Sequence, residues 1–291
     1  MDLSKILREN RPSITDSSVK TYKSVLNNIF KKCYPDDKEM SMDKFNDVKI
    51  IMESFKEDPL NTRKTKLASL VVLTGNKDYS SDLSNHNKQI NDINLKQEKT
   101  PEQMENMISM DEVDYVYRNL ESIAKIHLSD KNISDKNMNE IQKWILLSLT
   151  GGLFIAPRRS ADWNMKWKNY DEDKDNYVDV KNSQFVFNSY KTAKIYGKVK
   201  VDIPKTLKLI LNKWFKINPT DYVLFDNKKQ PLNSPQITHK LNEIFGKKIS
   251  TSMLRHIYLT HKFGNVNLKD LEDTAAAMGT SKIEALQYVK H

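Results

Sequence analysis

Two adjacent arginines in the stretch APRRSADWNMKW, Arg158 and Arg159, have the residue type and placement for binding an anion. They open a predicted helix whose later turns carry Trp163 and Trp167. Because the N-terminus of a helix disfavours cations, an anionic ligand is one explanation for two arginines at this end. The alternative is a surface salt bridge to Asp162, which lies at helical spacing from the pair.

Three more candidate residues follow along the chain. Lys191, in FNSYKTAKIYG, follows an alternating strand and precedes a glycine-bearing turn, the placement of a lysine at a hairpin tip. Arg255, in STSMLRHIYLTHKF, is expected opposite the apolar face of a helix, with His256 and His261 on its flanks. Tyr288 ends a helical stretch, MGTSKIEALQYVKH. Taken singly, such residues are most often a solvated lysine, a surface arginine and a core or rim tyrosine.

Residues 1–80 are predicted to form a small helical domain. In SITDSSVKTYKSVLNNIFKKCY the apolar positions recur at spacings of three and four after cap-type serine and threonine residues. NTRKTKLASLVVLTGN repeats this pattern and ends at Gly75, a helix stop. Residues 81–108 lose most large apolar side chains and end in a proline-marked turn, which predicts a linker with some helical segments.

Residues 109–291 are predicted to form a second domain in which helices surround a few strands. Two clear helices come first, and then NYVDVKNSQFVFNSYKTAKIYGKVKVDIP alternates apolar and polar residues in short runs. Helical spacing returns after this stretch. The expected fold class is mainly α with a small antiparallel β-sheet (α+β), and the sequence has neither internal repeats nor a phosphate-binding glycine loop.

Charge and composition narrow the class of protein. The 291 residues carry a net charge of +9, and residues 181–263 hold 16 basic against 4 acidic side chains. Such a positive segment is typical of proteins that bind a phosphate backbone, although a lysine-rich solubilising surface would look the same. The single cysteine, Cys33, excludes an intramolecular disulfide framework and a zinc-finger cluster. We expect an intracellular protein, since no membrane span or signal peptide is recognisable.

The order of the candidate residues resembles one family. An arginine before tryptophans, a lysine in a β-hairpin, LRH in a helix, and then MGTS followed by a tyrosine are similar to the motifs of the tyrosine recombinases, or phage-type integrases. SSVKTYKSVLNNIF resembles the opening helix of the family's core-binding domain, and residues 109–291 resemble its catalytic domain. DYVLFDNKKQPLNSPQITHKLNEIFGKKISTSMLRHIYLT is especially similar to integrases of large DNA viruses, virophages and related mobile elements.

The resemblance implies a role for each candidate. Arg255 and one of Arg158 and Arg159 would bind the nonbridging oxygens of a DNA phosphodiester. Lys191 would be the general acid for the leaving 5′ oxygen, and Tyr288 the nucleophile that forms a 3′-phosphotyrosyl intermediate. Neither a metal ion nor another cofactor is then required.

The first of the family's two phosphate-binding arginines can be aligned with either of two neighbouring residues of this sequence. Aligning MKW without gaps favours Arg158, whereas placing Asp162 at the family's acidic position, three residues after the arginine, favours Arg159. We favour Arg159.

Two positions depart from the family pattern. Ser252 stands where a histidine usually precedes the second arginine, and Thr280 stands where histidine or tryptophan is usual. Both hydroxyls can bind a phosphate but cannot carry a positive charge. His256 or His261 could supply an imidazole instead, although a histidine beside this arginine is more often a packing residue.

Double-stranded DNA is the partner that the resemblance implies. Two domains would close as a C-shaped clamp around the duplex, and four protomers on two duplexes would exchange strands. Arg63, Lys64 and Lys66 are candidate phosphate contacts of the first domain, or else a solvated helix face, and Lys194 is a candidate contact of the hairpin. A topoisomerase of type IB and a DNA-binding protein that has lost cleavage are the alternative functions.

Overall fold

The computed structural model describes residues 1–96, 98–263 and 268–289 and divides the chain into two compact units. The first unit is Met1–Lys96 and the second is Gln97–His291. The division falls inside the predicted linker, residues 81–108, so the linker contributes to both units. Each unit has its own hydrophobic core.

The first unit is helical, as predicted. Its core contains Leu26, Phe45, Leu67 and Tyr79, and the Tyr79 hydroxyl donates a hydrogen bond to the Phe45 carbonyl. Asp2, Thr15 and other cap residues accept hydrogen bonds from the free N–H groups of the helix starts. Its helices are α1 (Leu3–Asn10), α2 (Asp16–Cys33), α3 (Met42–Asn46), α4 (Val48–Glu53), α5 (Leu60–Thr74) and α6 (Lys77–Leu95).

Helix α6 corrects the predicted boundary at residue 80. The stretch is rich in polar residues, which led to its interpretation as a linker, but it forms a helix of 19 residues packed along α5. Tyr79 is completely buried in the core and Leu83 packs against it. Two well-placed apolar side chains therefore dock a helix whose overall composition resembles a linker.

The second unit contains nine α-helices in its described residues, and its strands lie among them. Capping boxes at Thr100 and Ser109 begin the first two helices. In the described part of the whole chain, no helix combines the length and apolar character needed to cross a membrane. The helices are α7 (Pro101–Asn106), α8 (Met110–His127), α9 (Asp135–Thr150), α10 (Ala193–Tyr196), α11 (Lys205–Ile217), α12 (Ser234–Phe245), α13 (Thr251–Phe263), α14 (Leu268–Ala277) and α15 (Lys282–Leu286).

The predicted sheet is present and has four strands in the order β1-β2-β3-β4. They are β1 (Met165–Lys166), β2 (Asn176–Asp179), β3 (Gln184–Phe187) and β4 (Val199–Asp202). The last three strands are antiparallel, as expected from the alternating pattern, with Tyr177 opposite Val186 and Phe185 opposite Val201. The short β1 pairs with β2 in parallel, so the sheet is mixed.

The arginine-bearing stretch is shorter in helix than predicted. Only Ser160–Trp163 is helical, as one turn of 3-10 helix, and the chain then enters β1. Trp163 is fully buried against Phe185 and Phe187 of the sheet. Packing of this indole on the sheet fits a turn followed by a strand rather than a longer helix.

A separate small core holds the C-terminal segment of the second unit, residues 268–289. It contains Leu259 and Phe263 from α13, Leu271 from α14, and Ala285 and Val289 near the end of the chain. Tyr288, two residues after the end of α15, packs against this cluster and is half-buried. The C-terminal tyrosine is therefore positioned mainly by α13 and α14.

Asn176, at the start of β2, ties the sheet to the flanking loops. Its amide nitrogen donates to the Asp162 carbonyl at 3.0 Å and to the Ser189 carbonyl at 2.8 Å. Its amide oxygen accepts from the backbone N–H groups of Asn188 at 2.9 Å and Ser189 at 2.8 Å. One buried side chain thus joins the turn after the arginines to the loop that carries Lys191.

We predict that Asn176→Asp lowers the free energy of unfolding by about 3 kcal/mol, because a carboxylate of the same shape would face two carbonyl oxygens without donors. Urea unfolding monitored by circular dichroism measures the change. Asn119→Asp, on the exposed face of α8, is the control and should change the stability by less than about 0.5 kcal/mol. Equal stabilities of the two variants would contradict this role of Asn176.

Candidate active site

Arg158 is a buried residue, only 1% exposed. Its Nε donates to Asp162 Oδ2 at 2.9 Å, and its Nη1 donates to the carbonyl of Ala277, at the end of α14, at 2.8 Å. The salt bridge that was the alternative interpretation of this arginine therefore exists, and it is buried rather than on the surface. Arg158 connects the 3-10 turn to the C-terminal segment.

Aromatic rings cover the same guanidinium. Its carbon lies 3.9 Å from the centre of the Phe187 ring and 5.2 Å from that of Tyr190. Burial lowers the pKa of Arg158 and raises the pKa of Asp162, and in both cases the charge of the other partner opposes the shift. The ion pair compensates for the desolvation of both groups.

Arg159 is oriented differently and stays partly exposed. Its Nη1 donates to the Gly279 carbonyl at 3.1 Å, and its Nη2 lies 3.2 Å from Oε1 of Glu284. Glu284 is more than a third exposed. A ligand could therefore replace this carboxylate without leaving a buried charge unpaired.

Arg255 contacts Tyr288 directly, although the two lie 33 positions apart in sequence. Its Nη1 donates to the Tyr288 hydroxyl at 2.7 Å, and its guanidinium carbon lies 4.2 Å from the centre of the tyrosine ring. Sequence periodicity placed Arg255 opposite the core, but the side chain is only 1% exposed. The C-terminal segment covers the helix face that would otherwise be in solvent.

Several donors at this site are buried without a hydrogen-bond partner in the described residues. They are Nε and Nη2 of Arg255, Nη2 of Arg158 and the hydroxyl of Thr280. Burial lowers the pKa of Arg255, Tyr288 opposes this shift, and the charge of Arg159 contributes to it. The unpaired donors are suited to an anion.

His256 contacts the backbone of the tyrosine. Its Nδ1 lies 2.7 Å from the Tyr288 carbonyl, and the two rings are 4.7 Å apart. On its other side, Nε2 lies 3.4 Å from the amide nitrogen of Gln103 in α7. This geometry suits a residue that holds Tyr288 in place.

Lys191 lies in the loop between β3 and β4, residues 188–198, as its sequence context predicted. Its side chain is exposed. The next residue, Thr192, donates from its hydroxyl to the Gly279 carbonyl at 3.1 Å. Residues 188–198, called the lysine loop below, and Arg159 therefore contact the same residue, Gly279.

The other sequence candidates are more scattered. Ser252 is exposed in the first turn of α13, His261 is exposed in its last turn, and Lys194 is exposed in α10. Thr280, by contrast, is buried beside Gly279.

The three cations proposed for the first unit all lie on α5 and are half-buried. Lys66 forms a salt bridge with Asp58 at 2.6 Å, so part of this predicted phosphate-binding face is already paired. Arg63 and Lys64 stay candidate DNA contacts.

The sequence did not single out Asn176, Phe187, Thr192 or Gly279. Asn176 and Thr192 donate to backbone carbonyls of other segments, the Phe187 ring covers Arg158, and the Gly279 carbonyl accepts from Arg159 and Thr192. Sequence spacing gives no signal for contacts of this kind. Within the described ranges, no cluster of three histidine, cysteine or acidic side chains could hold a metal ion.

We predict that Arg158→Met lowers the free energy of unfolding by about 3–5 kcal/mol, because Asp162 would be left buried without its partner. Denaturant unfolding measures the loss. Lys125→Met is the control, since it breaks an exposed pair with Glu121 at the same helical spacing and should cost at most about 1 kcal/mol. Similar losses in the two variants would contradict the structural role of Arg158.

Comparisons with known proteins identify the fold. No protein-family model and no curated protein matches the sequence. The structure is similar to that of a lambda integrase dimer bound to a COC′ core site, with a TM-score of 0.55 and 15% identity over 98% of this chain and 74% of that chain. XerA recombinase matches with a TM-score of 0.44 and 14% identity over 100% and 93% of the two chains.

The likeness to the lambda integrase dimer extends over nearly the whole chain, and at this level of identity it establishes the fold alone. The architecture agrees with it: a helical first unit, and a second unit in which helices surround a four-stranded sheet. This chain has the fold of the tyrosine recombinases and integrases.

Proposed function

We propose that this protein is a site-specific DNA recombinase that cuts and rejoins DNA through a 3′-phosphotyrosyl intermediate. The contact between the Tyr288 hydroxyl and Nη1 of Arg255, at 2.7 Å, carries the proposal. It places a nucleophilic oxygen beside a buried cation whose Nε and Nη2 have no partner in the described residues. Buried unpaired donors of this kind suit an oxyanion whose charge grows in the transition state.

The phosphate would bind between Arg255 and Arg159. Arg255 offers two unpaired donors, and Thr280 adds a buried hydroxyl without a partner. Arg159 lies beside Thr280, since its Nη1 donates to the carbonyl of the preceding residue, Gly279, at 3.1 Å. In-line attack concentrates negative charge on the nonbridging oxygens, and preorganised guanidinium groups stabilise that charge.

Arg159, and not Arg158, is the first phosphate ligand in this proposal. Arg158 already binds Asp162 and the Ala277 carbonyl, and Phe187 covers its guanidinium. Turning it toward DNA would leave a buried carboxylate unpaired. Arg159 would exchange only a partly exposed carboxylate, that of Glu284, for the phosphate.

Lys191 completes the reaction as the general acid. The Tyr288 oxygen bonds to phosphorus, the bond from phosphorus to the 5′ oxygen breaks, and Lys191 protonates that oxygen as it leaves. The phosphotyrosyl bond retains the energy needed for rejoining, when a 5′ hydroxyl attacks it and releases the tyrosine. The arginines supply the positive charge, so the reaction as written uses no metal ion.

Double-stranded DNA inside the cell is the partner in this proposal. Residues 181–263 hold 16 basic and 4 acidic side chains and include the lysine loop with Lys194. This segment would bind along the phosphate backbone of the DNA. Arg63 and Lys64 of the first unit would add phosphate contacts, and four protomers would act on two duplexes. Resemblance to integrases of viruses and mobile elements fits insertion or excision of such an element.

We predict a covalent adduct between Tyr288 and DNA. The protein is incubated with a pool of nicked duplexes of random sequence, labelled on the strand whose 3′ end would become attached. The adduct should accumulate, because the nick releases the 5′ fragment and prevents rejoining. It should give a labelled band that survives denaturing electrophoresis and disappears on protease treatment. Sequencing the captured DNA then gives the recognised site.

Tyr288→Phe should abolish the adduct while binding to the same DNA is retained. No adduct from the wild-type protein would contradict the proposed chemistry and favour a DNA-binding protein without cleavage. Ser252 and Thr280, which replace the family's usual residues, motivate that alternative. Relaxation of plasmid DNA without site preference would instead favour a type IB topoisomerase.

We predict that Arg159→Met slows adduct formation on the captured site by about 10²-fold or more, because one preorganised donor to the transition state is lost. Its free energy of unfolding should fall by only about 1 kcal/mol, since Glu284 is partly exposed. Arg159→Lys tests whether the planar group is required, and it should recover only a small part of the rate. A rate for Arg159→Met within about twofold of the wild type would refute the assignment.

A further inference from the structure

The loop that carries Lys191 is held by the residues on both sides of the lysine. Before it, Tyr190 donates from its hydroxyl to the Gly197 carbonyl at 2.8 Å, and its ring lies 5.2 Å from the Arg158 guanidinium. After it, the Thr192 hydroxyl donates to the Gly279 carbonyl at 3.1 Å. Lys191 itself is exposed, and no hydrogen bond or ion pair holds it within the described residues.

Gly279 connects this loop to the phosphate-binding arginine. Its carbonyl accepts from both Thr192 and Nη1 of Arg159, each at 3.1 Å. Gly279 has φ +65°, and a Cβ there would lie 2.9 Å from Nη2 of Arg158. Both the backbone conformation and the space therefore favour glycine, and the shared carbonyl is fixed by the buried arginine.

We propose that Thr192 is a positioning residue that sets the place of Lys191 relative to the scissile phosphate. The inference rests on the proposed function. Among the hydrogen bonds that residues 188–198 make within the described part of the chain, that of Thr192 joins the loop to the turn at Gly279, ahead of Tyr288. A lysine side chain has four flexible bonds, so the place of its ammonium depends on where the backbone is held.

The step that Thr192 would assist is protonation of the leaving group. As the bond from Tyr288 oxygen to phosphorus forms, the phenol proton passes to water. The bond from phosphorus to the 5′ oxygen breaks, its electron pair stays on that oxygen, and the Lys191 ammonium gives it a proton. A general acid that is misplaced slows this step without weakening the contacts of the phosphate with Arg159 and Arg255.

The test uses two versions of the duplex captured by the wild-type protein, with oxygen or sulfur as the 5′ bridging atom at the scissile phosphate. A thiol has a pKa of about 8.5, far below that of an alcohol, so a thiolate leaves without a proton. Thr192→Val removes the hydroxyl but keeps the shape, and Thr192→Ser keeps the hydroxyl. Ser189→Ala is the matched control, because its hydroxyl makes no hydrogen bond within the described residues.

We expect Thr192→Val to cleave the oxygen substrate on the order of 10-fold more slowly than the wild type and the sulfur substrate within about twofold of it. Lys191→Ala should show the same pattern with a larger loss on oxygen, about 10²-fold or more. Thr192→Ser and Ser189→Ala should match the wild type on both substrates. Activity on sulfur also shows that the Thr192→Val protein is folded.

Equal slowing on both substrates would overturn the inference, since it would mean that Thr192 supports the fold or the arginines rather than the general acid. Unchanged cleavage of both substrates would overturn it as well. Either result leaves the proposed function standing, because the wild-type protein still forms its adduct through Tyr288. Absence of the wild-type adduct would instead refute the proposed function and the inference with it.

Discussion

The buried ion pair between Arg158 and Asp162 is the interaction on which the rest of the site depends. Burying two charges is costly unless each is paired and hydrogen-bonded, and here the carboxylate, the Ala277 carbonyl and the Phe187 ring all converge on one guanidinium. The 3-10 turn, the sheet and the end of α14 must therefore keep fixed positions around it. Gly279 lies against the same side chain, and this sets the carbonyl to which Arg159 and the lysine loop are attached.

Arg255 is buried under a different constraint. No carboxylate contacts it in the described residues, and its hydrogen-bonding partner is the phenol of Tyr288. Two of its nitrogens are left buried and unpaired, at a cost in stability that a protein tolerates where an anion is to bind. The two buried arginines thus differ in what balances their charge. The charge of Arg158 is paired with a carboxylate within the protein, although its Nη2 has no partner in the described residues, whereas Arg255 depends on the phosphate that we propose as its ligand.

Helix α13 holds Tyr288 from two directions. Arg255 binds the hydroxyl, and the adjacent His256 contacts the backbone carbonyl. A small core of apolar side chains from α13, α14 and the end of the chain packs beneath this segment. Consecutive residues of one helix therefore fix both ends of the proposed nucleophile. In the proposed reaction, this arrangement would make His256 a residue that positions Tyr288.

The sequence by itself determined the kinds of element and the order of the candidate residues, because periodicity and turn chemistry are local. It indicated the helical first unit, the strands around Lys191 and the helix of Arg255, and it narrowed the first arginine position to two neighbours. Tertiary structure decided what depends on distant partners. It placed Arg158 with a buried carboxylate, covered Arg255 with the C-terminal segment, moved the domain boundary beyond α6, and brought Thr192 to the Gly279 carbonyl. Burial and pairing are set by residues far apart in the chain, and sequence spacing does not encode those contacts.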